Sequence, residues 1–254
     1  MAEMPPPPRP APPWRLWAIA GTAAALLLGA GLWLRARSRL PPEAALRVDQ
    51  ARELLLLDDA RSLEKATALF TEAARIAAGE AGPEGERAFA LLLQGAAWKD
   101  LADRLQGVSA AADERDKYAA ESERLLQSGL AAAKAALEED ADDPAALRAL
   151  ALHAAALRVP DQGALERARR NGPGDPWLAL VSGLQLRDEP EKAMEALNQA
   201  RRAEPRLLRA DVEWAALSID QRRPVSARKA LARVLQANPE HERARRRLAV
   251  LPAR

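Results

Sequence analysis

Cysteine is absent from the 254-residue sequence, and aromatic side chains are scarce, with six Trp, two Phe and one Tyr. Without cysteine the chain forms no disulfide, carries no thiol nucleophile or thiolate zinc cluster, and receives no lipoprotein anchor. β-branched residues are also few, whereas Ala, Leu, Arg and Glu, which favour helices, are abundant. The composition therefore predicts an almost entirely helical protein.

Residues for catalysis or metal binding are equally sparse. His153 and His241 are the only histidines, and neither has a second ligand or a nucleophile at helical spacing. The sequence has no glycine-rich phosphate loop, HExxH motif, nucleophile elbow or pair of catalytic carboxylates. The acidic run from Asp140 to Asp143 lacks the glycine and the distal glutamate of a calcium loop. We expect a solvated turn there, and a protein that is not an enzyme and binds no metal or cofactor.

The net charge of +2 is too small to predict nucleic acid as a partner. The charge is uneven, because residues 165–254 carry 19 basic and 12 acidic side chains. This excess is typical of solvated arginine-rich helix faces. A docking surface for an acidic segment or for lipid headgroups is the alternative interpretation.

A helical-hairpin pattern occurs twice between residues 174 and 239, with a period of 34 residues. The residues that set its spacing are Trp177, Leu180, Leu184, Ala193, Leu197, Ala200 and Pro205, followed by Ala227, Leu231, Val234 and Pro239. Repetition at this period predicts a solenoid of stacked helix pairs.

The second helix of each unit carries a small residue, a large aliphatic residue four positions later and a further apolar residue three after that. This spacing places all three on one helix face. We expect Ala193 and Ala227 to let the two helices of a hairpin approach closely, and Leu197 and Leu231 to fill the gap between hairpins. The proline that follows each helix ends it.

This pattern resembles the tetratricopeptide repeat (TPR) of membrane-anchored bacterial proteins. The residues that carry the resemblance are Trp177, Ala193, Leu197, Ala200 and Pro205 in one unit, and Ala227, Leu231 and Pro239 in the next. The triplet Ala66, Phe70 and Ala73 has the same spacing. The second unit has Asp211 in place of Trp177 and Trp214 in place of Leu180, and Val181 stands where the family has a small residue.

The resemblance implies an all-α fold with a TPR-like α-solenoid over residues 43–254, whose most regular units are 174–207 and 208–241. Gly79, Gly82, Pro83 and Gly85 predict a turn between the first two helix pairs. The final helix carries Arg243, Arg245, Arg246 and Arg247, which we interpret as the polar outer face that closes a solenoid.

In this family the first helices of successive units line a concave groove that binds peptides. The resemblance therefore implies a scaffold for protein–protein interaction, with a protein or peptide as its partner. The positions projected onto the groove are Asp175, Leu178, Ser182, Gln185, Arg209, Val212, Ala216 and Ile219. A helix surface that binds nothing would carry the same residues.

The N-terminal segments predict a membrane anchor. Residues 1–13 form a proline-rich tail, residues 14–34 a transmembrane helix, and residues 35–42 a basic linker that contains proline. About 20 apolar residues span the hydrocarbon core of a bilayer, and tryptophans stand at both ends of this run. A cleaved signal peptide is the alternative, although the run is long for one and no Ala-x-Ala site closes it.

Small residues recur every four positions in the predicted anchor, at Gly21, Ala25 and Gly29. This spacing allows two membrane helices to pack closely, so it indicates a candidate homodimer contact. The composition of the segment alone would also produce it.

The side of the membrane on which the repeats lie is predicted from a difference of one or two arginines between the two ends of the span. The positive-inside rule favours a single-pass protein of the inner cell membrane with its repeats in the cytoplasm. N-terminal signal anchors usually export the bulk of the chain, which favours the alternative of an envelope assembly or chaperone-like factor with its repeats in the periplasm.

Overall fold

The computed structural model describes residues 40–107, 109–159 and 161–252, and these residues form α-helices, one 3₁₀ turn at Ser109–Ala111 and no strand. The helices are α1 (Pro42–Leu56), α2 (Ala60–Ile76), α3 (Ala81–Arg104), α4 (Ala112–Glu139), α5 (Pro144–Ala156), α6 (Gln162–Asn171), α7 (Pro176–Gln185), α8 (Pro190–Ala203), α9 (Leu208–Asp220), α10 (Pro224–Ala237) and α11 (Glu242–Ala249).

Each odd-numbered helix up to α9 packs against the helix that follows it, which gives five hairpins and a terminal helix among the described residues. The first helices also contact one another in sequence, from α1 to α3 and onward to α11. Contacts between neighbouring units in this order define a solenoid with first helices in one layer and second helices in the other.

The predicted tail, the transmembrane segment 14–34 with Gly21, Ala25 and Gly29, and linker residues 35–39 lie outside the described residues. Within the described ranges, no helix combines the length and apolar character that crossing a bilayer requires. The membrane anchor therefore stays a prediction.

Prolines and aspartates set where the helices begin. Proline occupies the first helical position at Pro42, Pro144, Pro176, Pro190 and Pro224, where its missing N–H is not needed. The aspartates that precede a helix and accept a backbone N–H from its first turn are Asp59, Asp143, Asp161 and Asp175.

The helix ends show the repeat directly. Glu204 and Asn238 follow α8 and α10 with almost the same backbone angles, φ −138° and ψ 94° against φ −137° and ψ 92°. Pro205 and Pro239 come next in both units. The two chain segments therefore leave their helices in the same direction.

Small side chains allow the two helices of a hairpin to approach closely. Ala193, Ala227, Leu197 and Leu231 are buried in their hairpins. The close approach in α7 lies at Gly183, where an added Cβ would lie 2.7 Å from Leu197 Cγ. Val181, which occupies the position where the family has a small residue, is also buried. The small residue of this chain is Gly183, two positions further along the helix.

Asp211, which replaces the tryptophan of the first unit, is fully buried in an ion pair. Its Oδ1 lies 2.7 Å from Arg201 Nε, and its Oδ2 accepts a hydrogen bond from Arg233. The Arg201 guanidinium also lies 4.7 Å from the centre of the Trp214 ring. A charged contact between α8, α9 and α10 thus takes the place of an aromatic one.

The predicted turn over residues 79–85 is shorter than expected. Gly79, at φ +90°, makes the turn, and α3 already begins at Ala81. Gly85 serves packing instead, because a Cβ there would lie 2.3 Å from Asp143 Oδ1. The prediction of a solvated turn at 140–143 is wrong for Asp143, which is buried as the cap of α5.

Burial raises the pKa of Asp143 to about 6, against the effect of the hydrogen bond from Ala146 N, and Glu86 and Asp140 raise it further. The folded protein therefore binds the proton of the Asp143 carboxyl group more tightly than the unfolded chain does, because the pKa of this group in the unfolded chain is 3.8. Stability falls as pH rises between these two values, and above pH 6 the buried carboxylate costs the fold free energy.

Asp143→Asn should keep the cap and remove the buried charge. We expect the variant to be roughly 1–3 kcal/mol more stable than the parent at about pH 8, and the difference to shrink near about pH 4. Urea unfolding at both pH values measures it. Asp161→Asn, the same replacement at an exposed cap, is the control and should give no comparable gain; an equal gain would contradict the role of burial.

Ala227→Leu should overpack the hairpin of α9 and α10 and cost about 1–3 kcal/mol. Ala232→Leu makes the same change at an exposed position of α10 and should be nearly neutral. Denaturant midpoints from circular dichroism compare the two. Equal stability of both variants would show that position 227 tolerates a large side chain.

Candidate functional site

A concave cavity of about 330 Å³ lies on the side of the first helices. Successive first helices contribute Asp100 from α3, Ala155 from α5, Gln185 from α7, Ala216 from α9 and Arg247 from α11. A smaller cavity of about 70 Å³ shares Asp100 and Ala155 with it. The first helices thus line a recess that is partly open to solvent.

Beside this cavity lies a group of charged residues, here called the ionic cluster. It consists of three carboxylates and five arginines: Asp58, Asp100, Glu213, Arg104, Arg187, Arg209, Arg243 and Arg247. Five guanidinium groups against three carboxylates leave this set with an excess of positive charge.

Asp58 stands between two arginines. Its Oδ1 lies 3.1 Å from Arg209 Nη1, and its Oδ2 lies 3.1 Å from Arg243 Nη1. His241 Nε2 is 3.4 Å from the same Oδ2, while His241 Nδ1 accepts the backbone N–H of Ala244. The four charged or polar side chains are all buried, so each depends on the others for solvation.

Glu213 and Asp100 extend the cluster towards the cavity. Glu213 Oε1 accepts hydrogen bonds from Arg209 Nε at 2.8 Å and from Arg243 Nη2 at 2.7 Å, and its Oε2 accepts one from Arg187. Asp100 Oδ2 accepts one from Arg243 Nε at 3.1 Å. Arg243 therefore joins all three carboxylates of the cluster.

Burial opposes ionisation of these carboxylates, but the arginines outweigh it. Burial raises the pKa of Asp58, yet Arg209, the hydrogen bond with His241 and Arg243 bring it down to about 2. Arg187, Arg209 and Arg243 likewise hold the pKa of Glu213 well below its usual range against its burial. Both carboxylates are charged at neutral pH.

Arg247 lacks a full set of partners. Burial lowers its pKa to about 10, Arg243 and Arg104 contribute by repulsion, and Glu213 and Asp100 oppose the change. Its Nη2 lies 3.3 Å from Asp100 Oδ1, and its buried Nε has no hydrogen-bond partner among the described residues. Arg247 lines the cavity, whose charged lining consists of three arginines and three aspartates.

The cluster joins opposite ends of the described chain. Asp58 lies in the turn between α1 and α2, whereas Arg209 belongs to α9 and Arg243 to α11. At the same junction Asn238 Nδ2 donates to Asp59 Oδ2 at 2.9 Å and to Leu57 O at 3.3 Å. These contacts between residues 57–59 and residues 209, 238, 241 and 243 are here called the clasp.

The eight predicted groove positions do not form one surface. Gln185 and Ala216 line the cavity, and Arg209 belongs to the clasp. The other five positions lie elsewhere: Leu178 and Ser182 are buried in α7, Val212 lies in the core between α9 and α10 with Ile219 packed against it, and Asp175 caps α7. Of the eight, only Asp175 and Ile219 are partly exposed.

Asp175 belongs to a second buried ion group. Its Oδ2 accepts a hydrogen bond from Arg148, which also donates to Glu86 Oε2 at 2.6 Å. The Arg148 guanidinium lies 4.2 Å from the Phe89 ring centre, and Phe89 meets Trp177 edge to face at 5.2 Å. Burial opposes ionisation of Glu86, but Arg148 and Arg52 lower its pKa. This group joins α3, α5 and α7 in the interior.

The interpretation of the final arginines as an outer face is wrong for two of the four. Arg243 and Arg247 are mostly buried in the cluster, whereas Arg245 and Arg246 are exposed. The spacing of four residues did indicate a shared face for Arg243 and Arg247. The residues that this face contacts are Asp58 and Asp100, which lie more than 140 positions earlier in the chain. No local sequence pattern indicates these contacts.

Neither histidine belongs to a metal site in the ranges that the structure describes. His153 is half-buried, and its pKa is lowered by burial and by Lys134. Within residues 40–107, 109–159 and 161–252, no group of three or more His, Asp or Glu side chains is arranged to hold a metal ion.

No protein-family model matches the sequence, and no curated protein matches it. Among solved structures, the chain is similar to a thermophilic TPR protein of Thermus thermophilus, with 18% identity and a TM-score of 0.50 over 81% of this chain and 97% of that one. The MamA RS-1 ArsTM double mutant matches with 14% identity and a TM-score of 0.37, over 80% of this chain and 99% of that one. The Thermus match, with the order of helix pairs, confirms the predicted fold class of a TPR-like all-α solenoid.

Proposed function

We propose that the protein is a membrane-tethered scaffold that binds a protein partner in its concave cavity. The observation that carries the proposal is the lining of this cavity by first helices from α3 to α11, which places side chains from five units around one recess. A volume of about 330 Å³ is at the lower end of small-ligand sites and is sufficient for a few side chains of a peptide.

The cavity also has an apolar contact point at its edge. Val159 lines the cavity and exposes 65% of its surface. Burial of this side chain against a partner would remove apolar surface from water, which favours binding.

The tether in this proposal is the apolar segment 14–34, and Gly21, Ala25 and Gly29 are its candidate contact for a homodimer. Confinement to a membrane raises the effective concentration of partners in the same membrane, so even a weak site would be occupied. The arginine count favours repeats on the cytoplasmic side.

Val159→Asp should weaken partner binding roughly tenfold, because it places a charge at the edge of the cavity where an apolar contact is lost. Val225→Asp is the matched control, since Val225 is a valine of similar exposure, 58%, at the start of α10 and does not line this cavity. Partners captured from solubilised membranes by the full-length protein are quantified by mass spectrometry. Equal capture by both variants would contradict a role of the cavity.

A reporter fused to the C-terminus tests the tether and its direction. A reporter that is active only in the cytoplasm should be active in the membrane fraction with the full chain, and should move to the soluble fraction when residues 1–39 are deleted. Activity of a periplasmic reporter instead would favour the envelope assembly factor.

A further inference from the structure

A third cavity, of about 260 Å³, lies beside the clasp and shares no residue with the larger concave cavity. Side chains of α2, α3, α4 and α11 line it. Its apolar wall contains Leu63, Leu101 and the indole ring of Trp98, and it is here called the Trp98 cavity. The volume is sufficient for one long side chain of a ligand.

The charged lining of the Trp98 cavity is mainly acidic, with five carboxylates and two arginines. The carboxylates that form ion pairs with arginine are Asp58, Glu121 and Glu242. Asp59 accepts hydrogen bonds only from the neutral groups of Ser62 and Asn238, and Glu64 is exposed at the edge. Because neither Asp59 nor Glu64 has an ion-pair partner among the described residues, the lining keeps negative charge that is complementary to a cation.

Two other places in the fold show which cation binds beside a carboxylate and an aromatic ring. Arg201 Nε lies 2.7 Å from Asp211 Oδ1, and the same guanidinium lies 4.7 Å from the ring centre of Trp214. The same combination is formed by Arg148 with Glu86 and Phe89. A guanidinium suits both contacts, because it is planar, pairs with carboxylates and stacks on aromatic faces.

Trp98 provides a ring that has no such cation. It is half-buried and contacts Tyr118, with ring centres 5.1 Å apart, and no arginine or lysine of the described residues lies over it. Arg124 also lines the cavity, but it pairs with Glu121 at 2.6 Å in a contact that is largely exposed. Exposed pairs of this kind contribute little free energy, so another guanidinium can replace Arg124 at Glu121.

We propose that the Trp98 cavity binds an arginine side chain of a partner protein, whose guanidinium stacks on Trp98 and pairs with Glu64 and Glu121. The three residues line one cavity and come from three helices, α2, α3 and α4. The proposal goes beyond the proposed function, since it adds a second docking surface that does not depend on the concave cavity.

Fluorine NMR of the full-length protein in detergent micelles, labelled with fluorotryptophan, tests the proposal at the ring itself. The probe is Nα-acetyl-arginine amide, and Nα-acetyl-citrulline amide is its neutral counterpart of nearly the same shape. The resonance of Trp98 is assigned from its absence in Trp98→Phe. The resonance of Trp214 is assigned in the same way and serves as the internal reference, because Arg201 already lies over that ring.

We expect the arginine probe to shift the Trp98 resonance to saturation, because the cation binds over the ring. The citrulline probe should give no saturable shift, and the Trp214 resonance should stay in place with both probes. Equal shifts with the two probes, no shift with the arginine probe, or an equal shift at Trp214 would each overturn the proposal.

Two exposed substitutions should change the affinity for the arginine probe in opposite directions. Glu64→Gln should weaken binding roughly threefold, because it removes an unpaired carboxylate, and Arg124→Gln should strengthen it by roughly the same factor, because it frees Glu121. Glu166→Gln, at an exposed glutamate of α6 that does not line the cavity, is the matched control and should change nothing. Affinities that are unchanged in Glu64→Gln and Arg124→Gln would show that these carboxylates do not hold the ligand, and would overturn the site.

Discussion

A buried carboxylate held between two guanidinium groups joins the first hairpin of this solenoid to its last units. Asp58, at the first turn of the described chain, meets Arg209 and Arg243 near its end, so residues about 150 and 185 positions apart share one ion cluster. Solenoids are usually held together only by contacts between neighbouring units. Here a long-range polar contact brings the first hairpin against the last units, and the concave side becomes a recess.

Two kinds of contact have separate roles. Alanine, glycine and leucine stack the units, as at Gly183 against Leu197, and this packing sets the direction in which each unit follows the last. Buried charges then join surfaces that packing alone leaves apart. Burial of ion pairs is costly unless every group is paired, so such contacts contribute more to specificity than to net stability.

The functional picture combines both roles. Stacked first helices form the cavity wall, and the ionic cluster supplies its charge, with Arg187 and Arg247 facing the recess. The charged lining of the cavity consists of three arginines and three aspartates, so it is complementary to a partner that carries groups of both signs. Tethering through residues 14–34 would raise the local concentration of membrane partners, so that even a weak site would be occupied.

The sequence by itself determined the helical class, the 34-residue period and the interior positions such as Ala193 and Leu231, because these follow from local spacing on a helix face. Pro205 and Pro239 also predicted where two of the helices end, at Ala203 and Ala237. The tertiary structure decided that Arg243 and Arg247 are buried, that Arg209 is paired, and that only Gln185 and Ala216 of the predicted groove positions line the larger cavity. Those outcomes depend on the curvature that accumulates over the stacked units, because it brings Asp58 and Asp100 next to the last helices. No local sequence pattern encodes this curvature.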